Sequence, residues 1–442
     1  MFIQLSDHFT YKRLLRFTAP SIVMMLFTSI YSVVDGFFVS NFVGKTPFAA
    51  VNFIMPLLMV LGAVGSMFGT GGSALIGKTM GEGDLDKAKR QFSLFIFVSA
   101  GSAAVIALLG IIFLPQIAAM LGAEGSMLSD CTLYGRIILI ALPAFVLQYE
   151  FQSFFSLAEK PQLGLYISVV AGVTNMALDA LLVAVFSFGL VGAAVATAVS
   201  QMVGGVVPLI YFSRENTSLL RITKTSFDGR ALLQGCANGA SEFLTNISMS
   251  VVGMLYNVQL IKYAGENGVA AYGTLMYVNF FFLAAFIGYS IGVSPIVSYH
   301  FGAANTDELK NLLKKSFVII GVFAALMFTL GESLAKPLSM IFVGYDKELL
   351  SITLRGFLIF SFCFLFAGVP IFGSSFFTAL NNGLVSALIS FLRTVVFEVV
   401  AVLTFPLIWE IDGIWLSVVG ADIVAALVTA VFLIGNKKKY RY

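Results

Sequence analysis

Charge is what this chain has least of. Asp, Glu, Lys and Arg make up 11% of its 442 residues, against about 25% in a soluble domain. Histidine occurs twice, at His8 and His300, and cysteine three times, at Cys131, Cys236 and Cys363. Ligands so few and so far apart give no metal-binding spacing and no disulfide framework. The formal net charge of +3 carries no meaning until its residues are placed on loops, and no nucleic-acid partner is expected. What replaces charge is apolar surface: 59% of residues are hydrophobic, 44 of them Phe and 16 Met, and the mean hydropathy is +0.95. That is the composition of a polytopic membrane protein. The first apolar run, 14–43, is too long for a signal peptide and has no small-residue cleavage site before the next span.

At roughly 20 residues per crossing, twelve spans are predicted, near 14–43, 47–77, 92–114, 132–155, 163–187, 189–212, 231–261, 268–299, 316–342, 350–378, 383–408 and 412–435. Polar breaks at 81–84, 214–230 and 302–315 and a basic tail at 437–441 separate or follow them. With the N-terminus inside, nineteen of the 26 Lys and Arg fall on cytoplasmic segments and six on the outer side, leaving Arg393 within the membrane. By the positive-inside bias, both termini are cytoplasmic, as expected for a bacterial inner (cytoplasmic) membrane protein.

The chain also repeats itself. Residues 49–55 align with 270–276, and Gly81 aligns with Gly302 at the same shift of 221. The segment Ser32-Val-Val-Asp35 aligns with Ser250-Val-Val-Gly253. An even number of spans per repeat preserves orientation, so the expected fold is all-α, with two pseudo-symmetric six-helix lobes around a central cavity. The N-lobe is 1–213, the linker 214–230 and the C-lobe 231–442. Where the first repeat has Asp35 and Pro20, the second has Gly253 and Asn238. Any ion-handling equipment therefore belongs to the first half.

Seven carboxylates fall inside spans: Asp35, Glu150, Asp179, Glu242, Glu332, Glu398 and Asp422. A charge at the centre of a membrane helix costs roughly 2.5–3.5 kcal/mol on insertion scales, so such residues face protein or water. Glu150 and Glu332 lie nearer span ends, where a side chain can reach the headgroup region. Asn175 and Asp179 are four apart and share a helix face. Counted at 1.5 Å per residue, Asp35, Asp179 and Thr197 all lie about 12–13 Å below the outer surface. Two carboxylates, a carboxamide and a hydroxyl at one depth suit a hard cation such as Na⁺, or a proton shared by two acids. Pro20 removes a backbone donor from the first span and provides a place to bend. In the second half Glu242, Arg393, Glu398 and Asp422 are the cavity charges, with Arg393 expected to neutralise one carboxylate.

Gly72-Ser-Ala-Leu-Ile-Gly-Lys-Thr79 matches a P-loop pattern literally, but it sits in a membrane span without the strand that a P-loop follows. No nucleotide partner is expected. The Asn216-Thr-Ser218 sequon falls on the linker assigned to the cytoplasm and is read as coincidental.

The twelve spans in two halves, the Pro20…Val-Val-Asp35 first span and the Gly81-Glu-Gly-Asp84 break resemble the multidrug and toxic compound extrusion (MATE) transporters over essentially the whole chain. The resemblance is closer to the MepA-like and DinF-like bacterial branches than to the NorM branch. It implies a monomeric secondary antiporter, not an enzyme, exporting amphipathic, often cationic organic compounds by alternating access. The coupling ion would be Na⁺ or H⁺, with no cofactor. The family's first-lobe cation site carries over onto Asp35, Asn175, Asp179 and Thr197, and its bending proline onto Pro20. The NorM-type second-lobe pair is incomplete, because Glu242 matches its glutamate but the tenth span holds no carboxylate. The rival expectation is a flippase for a lipid-linked saccharide precursor. Such a flippase needs a cavity rich in Arg and Lys to bind pyrophosphate, and this chain has one intramembrane Arg.

Overall fold

The computed structural model describes residues 3–43 and 45–442, and those described residues contain helices and no strand. The first half comprises α1 (Tyr11–Phe38, continuing as a π-helical turn Val39–Val43), α2 (Lys45–Gly81), α3 (Leu85–Met120), α4 (Gly125–Ile140), α5 (Leu142–Leu157), α6 (Pro161–Leu178, continuing as a π-helical segment Asp179–Val185) and α7 (Gly189–Ser213). The second comprises α8 (Gly229–Gly302), α9 (Thr306–Val343), α10 (Lys347–Phe360), α11 (Phe364–Ala379), α12 (Gly383–Phe391), α13 (Glu398–Thr404) and α14 (Pro406–Tyr440), with a π-helical segment Leu392–Phe397 between α12 and α13.

Twelve crossings follow from these helices. Ten are long and apolar enough to span a membrane, and α4 with α5, bent by 57°, makes another. Helix α8 has 74 residues, which at 1.5 Å each is about 110 Å, far more than one bilayer. It breaks at Gly265, where φ is 64° and ψ −153°, a conformation that only glycine adopts readily, and so supplies two crossings. A second break, at Glu410 (φ 51°), falls where the sequence places the turn between the last two spans.

The polar breaks act as helix caps. Asp84 accepts from the Lys87 amide at the start of α3, Asp228 from Arg230 and Ala231 at the start of α8, and Asn305 from Glu308 at the start of α9. Each such cap stabilises its helix by about 1 kcal/mol. The P-loop-like stretch lies inside α2, with Gly72 against Phe95 and Gly77 against Ser298.

The halves meet most closely at the end that carries the N-terminus. A Cβ on Gly71 would sit 1.9 Å from the Gly235 carbonyl, one on Gly302 1.9 Å from the Lys78 carbonyl, and one on Gly288 2.6 Å from Ile22 Cα. Backbones touch there because no side chain intervenes. Asn381 joins them, accepting from Asn238 at 2.7 Å and donating to the Ala74 carbonyl at 3.0 Å. Towards the other end the helices part: Gly36 has only the Tyr277 hydroxyl at 3.8 Å, and Gly253 and Gly273 meet nothing within 4 Å.

The N-terminal segment straps the sealed end. Leu5 donates its amide to Glu159 (2.6 Å) in the first half, while Phe9 donates its own to Glu308 (2.9 Å) in the second. The Phe9 carbonyl accepts from Asn311 (3.0 Å) and Lys315 (2.6 Å), and His8 pairs with Glu308 at 2.6 Å. Leu5 and Phe9 are fully buried.

Candidate functional site

Three helices of the first half converge in the part that lies away from the sealed end. Helix α1 brings Asp35, α6 brings Asn175 and, at the start of its π-helical continuation, Asp179, and α7 brings Thr197. The close approach of α1 and α6 depends on Gly172, whose Cβ would lie 2.6 Å from Phe27 and 2.9 Å from Tyr31. The Asp35 carboxyl lies close to Asp179, Asn175 and Thr197. All four sequence-selected residues are therefore neighbours.

Their hydrogen bonding is incomplete. Oδ1 of Asp35, Oδ1 of Asn175, both carboxylate oxygens of Asp179 and Oγ1 of Thr197 are buried without a hydrogen-bond partner. Asp179 is 0% and Asn175 2% exposed, while Asp35 is half-buried. Buried oxygens normally find donors, so five unpartnered oxygens close together are a nest that could take a positive charge. Two carboxylates with two neutral oxygens match a monovalent cation or a proton. Among the described residues no group of three or more His, Cys, Asp or Glu could hold a metal.

Tyr134 on α4 belongs to the same cluster and escaped the sequence reading. It is 1% exposed, lies beside Thr197 and feels both Asp35 and Asp179. Tyrosines near span ends ordinarily sit in the interfacial aromatic belt, so nothing in the sequence singled this one out. Beside it, Tyr134, Thr197 and Gln201 line a small cavity otherwise walled by apolar side chains such as Met55 and Phe145.

Pro20 is buried inside an α1 that continues through it, about 22 Å along the helix from Asp35. In the second half Arg393 Nε donates to Asp422 Oδ1 at 2.7 Å, with Glu398 close to both. Glu242, half-buried on α8, makes no ion pair among the described residues. The four second-half charges are thus three and one. Glu150 corrects an expectation: instead of reaching the membrane surface it is 0% exposed and accepts a hydrogen bond from Ser99. Glu332 likewise accepts from Ser361.

The MatE family model matches the chain twice, over residues 20–181 and 243–404. This chain belongs to the MatE family. Among curated relatives of this MatE protein, multidrug export protein MepA of Staphylococcus haemolyticus is 28% identical over 366 residues, covering 81% of this chain and 80% of its own. The MepA of Staphylococcus saprophyticus is 28% identical over 371 residues, covering 81% of each chain. Among solved structures, MATE in complex with MaL6 has a TM-score of 0.93 at 20% identity, over 98% of both chains. The outward-facing conformation of a multidrug resistance MATE family transporter of the MOP superfamily has a TM-score of 0.92 at 20% identity, over 98% of this chain and 97% of that one. These likenesses place the twelve helices in the MATE fold.

Proposed function

We propose that this MatE protein is a cation-coupled antiporter that exports amphipathic, often cationic organic molecules from a bacterial cytoplasm, with both termini on the cytoplasmic side. The observation that carries this reading is the nest of five unpartnered oxygens on Asp35, Asn175, Asp179 and Thr197, facing the end where the halves part. The related MepA proteins are named multidrug exporters, which supports the substrate class. Two lobes, 1–213 and 231–442, would move about the linker as units. With the cytoplasmic end closed and the nest open to the outside, a Na⁺ ion or proton enters and neutralises Asp35 and Asp179. Helix α1, which lacks a backbone donor at Pro20, then shifts, reshaping the first-half cavity and expelling the organic molecule. The halves rock to face inward and the cation leaves. One charge moving down 100 mV supplies about 2.3 kcal/mol, enough for a modest substrate gradient per ion.

The flippase alternative is less favoured, because Arg393 already donates its Nε to Asp422 at 2.7 Å and its charge is compensated there. Dye export from proteoliposomes, with Na⁺ and pH gradients imposed separately, tests the proposal. Asp35→Asn and Asp179→Asn are each expected to abolish gradient-driven export; export at the wild-type rate by either variant overturns the mechanism.

A further inference from the structure

We propose that the outer face of α14 and the tail that follows it bind an anionic glycerophospholipid of the leaflet at the sealed end. The inference needs only a chain that spans a membrane; neither the first-half nest nor transport enters it. Helix α14 ends at Tyr440, and the chain then folds back on itself. Arg441 takes the left-handed conformation (φ 57°), a position that helices usually give to glycine, and donates its amide to the Lys437 carbonyl at 2.8 Å. Tyr442 holds the turn. It is 4% exposed, its hydroxyl donates to the Leu433 carbonyl at 2.8 Å, and its ring stands edge-on to Phe376 of α11, centroids 5.2 Å apart. Tyr440 stacks on Tyr442 at 6.3 Å and meets Phe301 of α8 at 5.7 Å. Phe301 adjoins the Gly302–Lys78 contact that seals the halves.

This hook presents cations. Lys437, Lys438, Lys439 and Arg441 are all exposed, and none makes an ion pair among the described residues. Lys439 lies over the Tyr440 ring at 5.0 Å. Before them along the helix, α14 shows the membrane an apolar stripe: Leu427, Val431 and Ile434 are 63%, 68% and 74% exposed. At 3.6 residues per turn, these three and Lys438 fall within an arc of about 60°. A Cβ on Gly435 would meet nothing within 4 Å, so the approach from stripe to cations is open. Lys438 lies one turn beyond Ile434, roughly 6 Å along the axis, which matches a headgroup layer about 5–8 Å thick.

An anionic lipid answers both parts of this surface. Its acyl chain lies along the stripe, and its phosphate meets Lys438 and Arg441, whose guanidinium fork matches phosphate oxygens. A free phosphate leaves the stripe unused, and a zwitterionic lipid brings a cation of its own to a cationic seat. A basic tail that only oriented the chain during insertion needs its charges, but no buried tyrosine and no left-handed arginine.

Lipid binding to the full chain in dodecyl maltoside, counted by native mass spectrometry, tests the site. Dioleoyl phosphatidylglycerol is expected to saturate one site that dioleoyl phosphatidylcholine, with the same chains, does not fill. Lys438→Gln/Arg441→Gln should weaken it roughly thirtyfold, the effect of two cations near a membrane surface. Lys87→Gln/Lys314→Gln, which removes two exposed cations elsewhere at the same end, should leave it unchanged. Tyr442→Ala keeps every cation but frees the hook, and should weaken binding several-fold. Glycerol 1-phosphate in large excess should not displace the lipid. Equal binding of phosphatidylcholine, equal loss in Lys87→Gln/Lys314→Gln, wild-type binding by Tyr442→Ala, or displacement by glycerol 1-phosphate each overturns the proposal. If Tyr442→Ala aggregates on size exclusion, the two double variants decide alone.

Discussion

Thr197 shows what a single neutral oxygen contributes to the first-half nest. Its Oγ1 is buried and unpartnered beside two acids, so it can serve an incoming cation without adding charge. Removing it in Thr197→Ala costs one oxygen–cation contact, about 1–2 kcal/mol, or roughly a 5–30-fold rise in the cation concentration that gives half-maximal export. Thr197→Ser should restore the wild-type value; no change in Thr197→Ala removes this residue from the site. At the opposite end, Glu159 illustrates a titration outside the membrane. Burial pushes its carboxyl above the usual carboxylate range, only partly offset by the Leu5 amide that donates to it, with Asp7 pushing up and Lys160 down. A carboxyl raised on folding contributes stability that is complete below its unfolded value and fades as pH rises through the folded one. Glu159→Gln should abolish that slope. Thermal midpoints measured from about pH 4 to 8 are expected to fall for wild type relative to the variant as pH rises, and a rise instead would reverse the sign assigned here.

Elements carry the site by how closely they pack. Gly172 lets α6 lie against Phe27 and Tyr31 of α1, which sets the spacing between Asp35 and Asp179. Gly172→Leu overpacks that contact by several atoms, typically about 1–3 kcal/mol of destabilisation, and pushes the two acids apart. The readout is the increase in thermal midpoint on adding the coupling cation, since a ligand that binds only the folded state stabilises it. That increment should largely vanish in Gly172→Leu, whatever happens to the midpoint without the cation; an unchanged increment would show that α1–α6 spacing does not matter. The helices themselves were legible, because apolar length and polar breaks are local properties and the breaks turn out to be caps at Asp84, Asp228 and Asn305. So was the meeting of Asp35, Asn175, Asp179 and Thr197, since depth along a span is nearly a count of residues. Rotation about the helix axis is not such a count. That is why Tyr134 was missed, and why Glu150 was placed towards the surface when it is fully buried against Ser99.

For the whole molecule, the question is what holds the N-terminal end shut. Glycine-mediated backbone contacts between α2 and α8 close it, yet the strap of residues 3–10 adds bonds to both halves at once: Leu5 to Glu159 on one side, and Phe9 to Glu308, Asn311 and Lys315 on the other. Rocking the halves apart at this end must break one set. Glu308 is the pivot, since it accepts from the Phe9 amide, pairs with His8 and also accepts from Asn311 at 2.7 Å. Hydrogen bonds to a charged group contribute about 1.5–3 kcal/mol each, so Glu308→Ala removes enough to shift a closed-to-open equilibrium by roughly tenfold or more. Spin labels on Lys87 and Lys310, one on each half at this end, would report the change as a growing long-distance population in pulsed electron–electron resonance. Adding the cation is expected to reverse part of it, because the occupied nest lies on the side that is open when this end is closed. A distance distribution identical to wild type would mean that the α2–α8 glycine contacts close the molecule unaided and that the strap is passive.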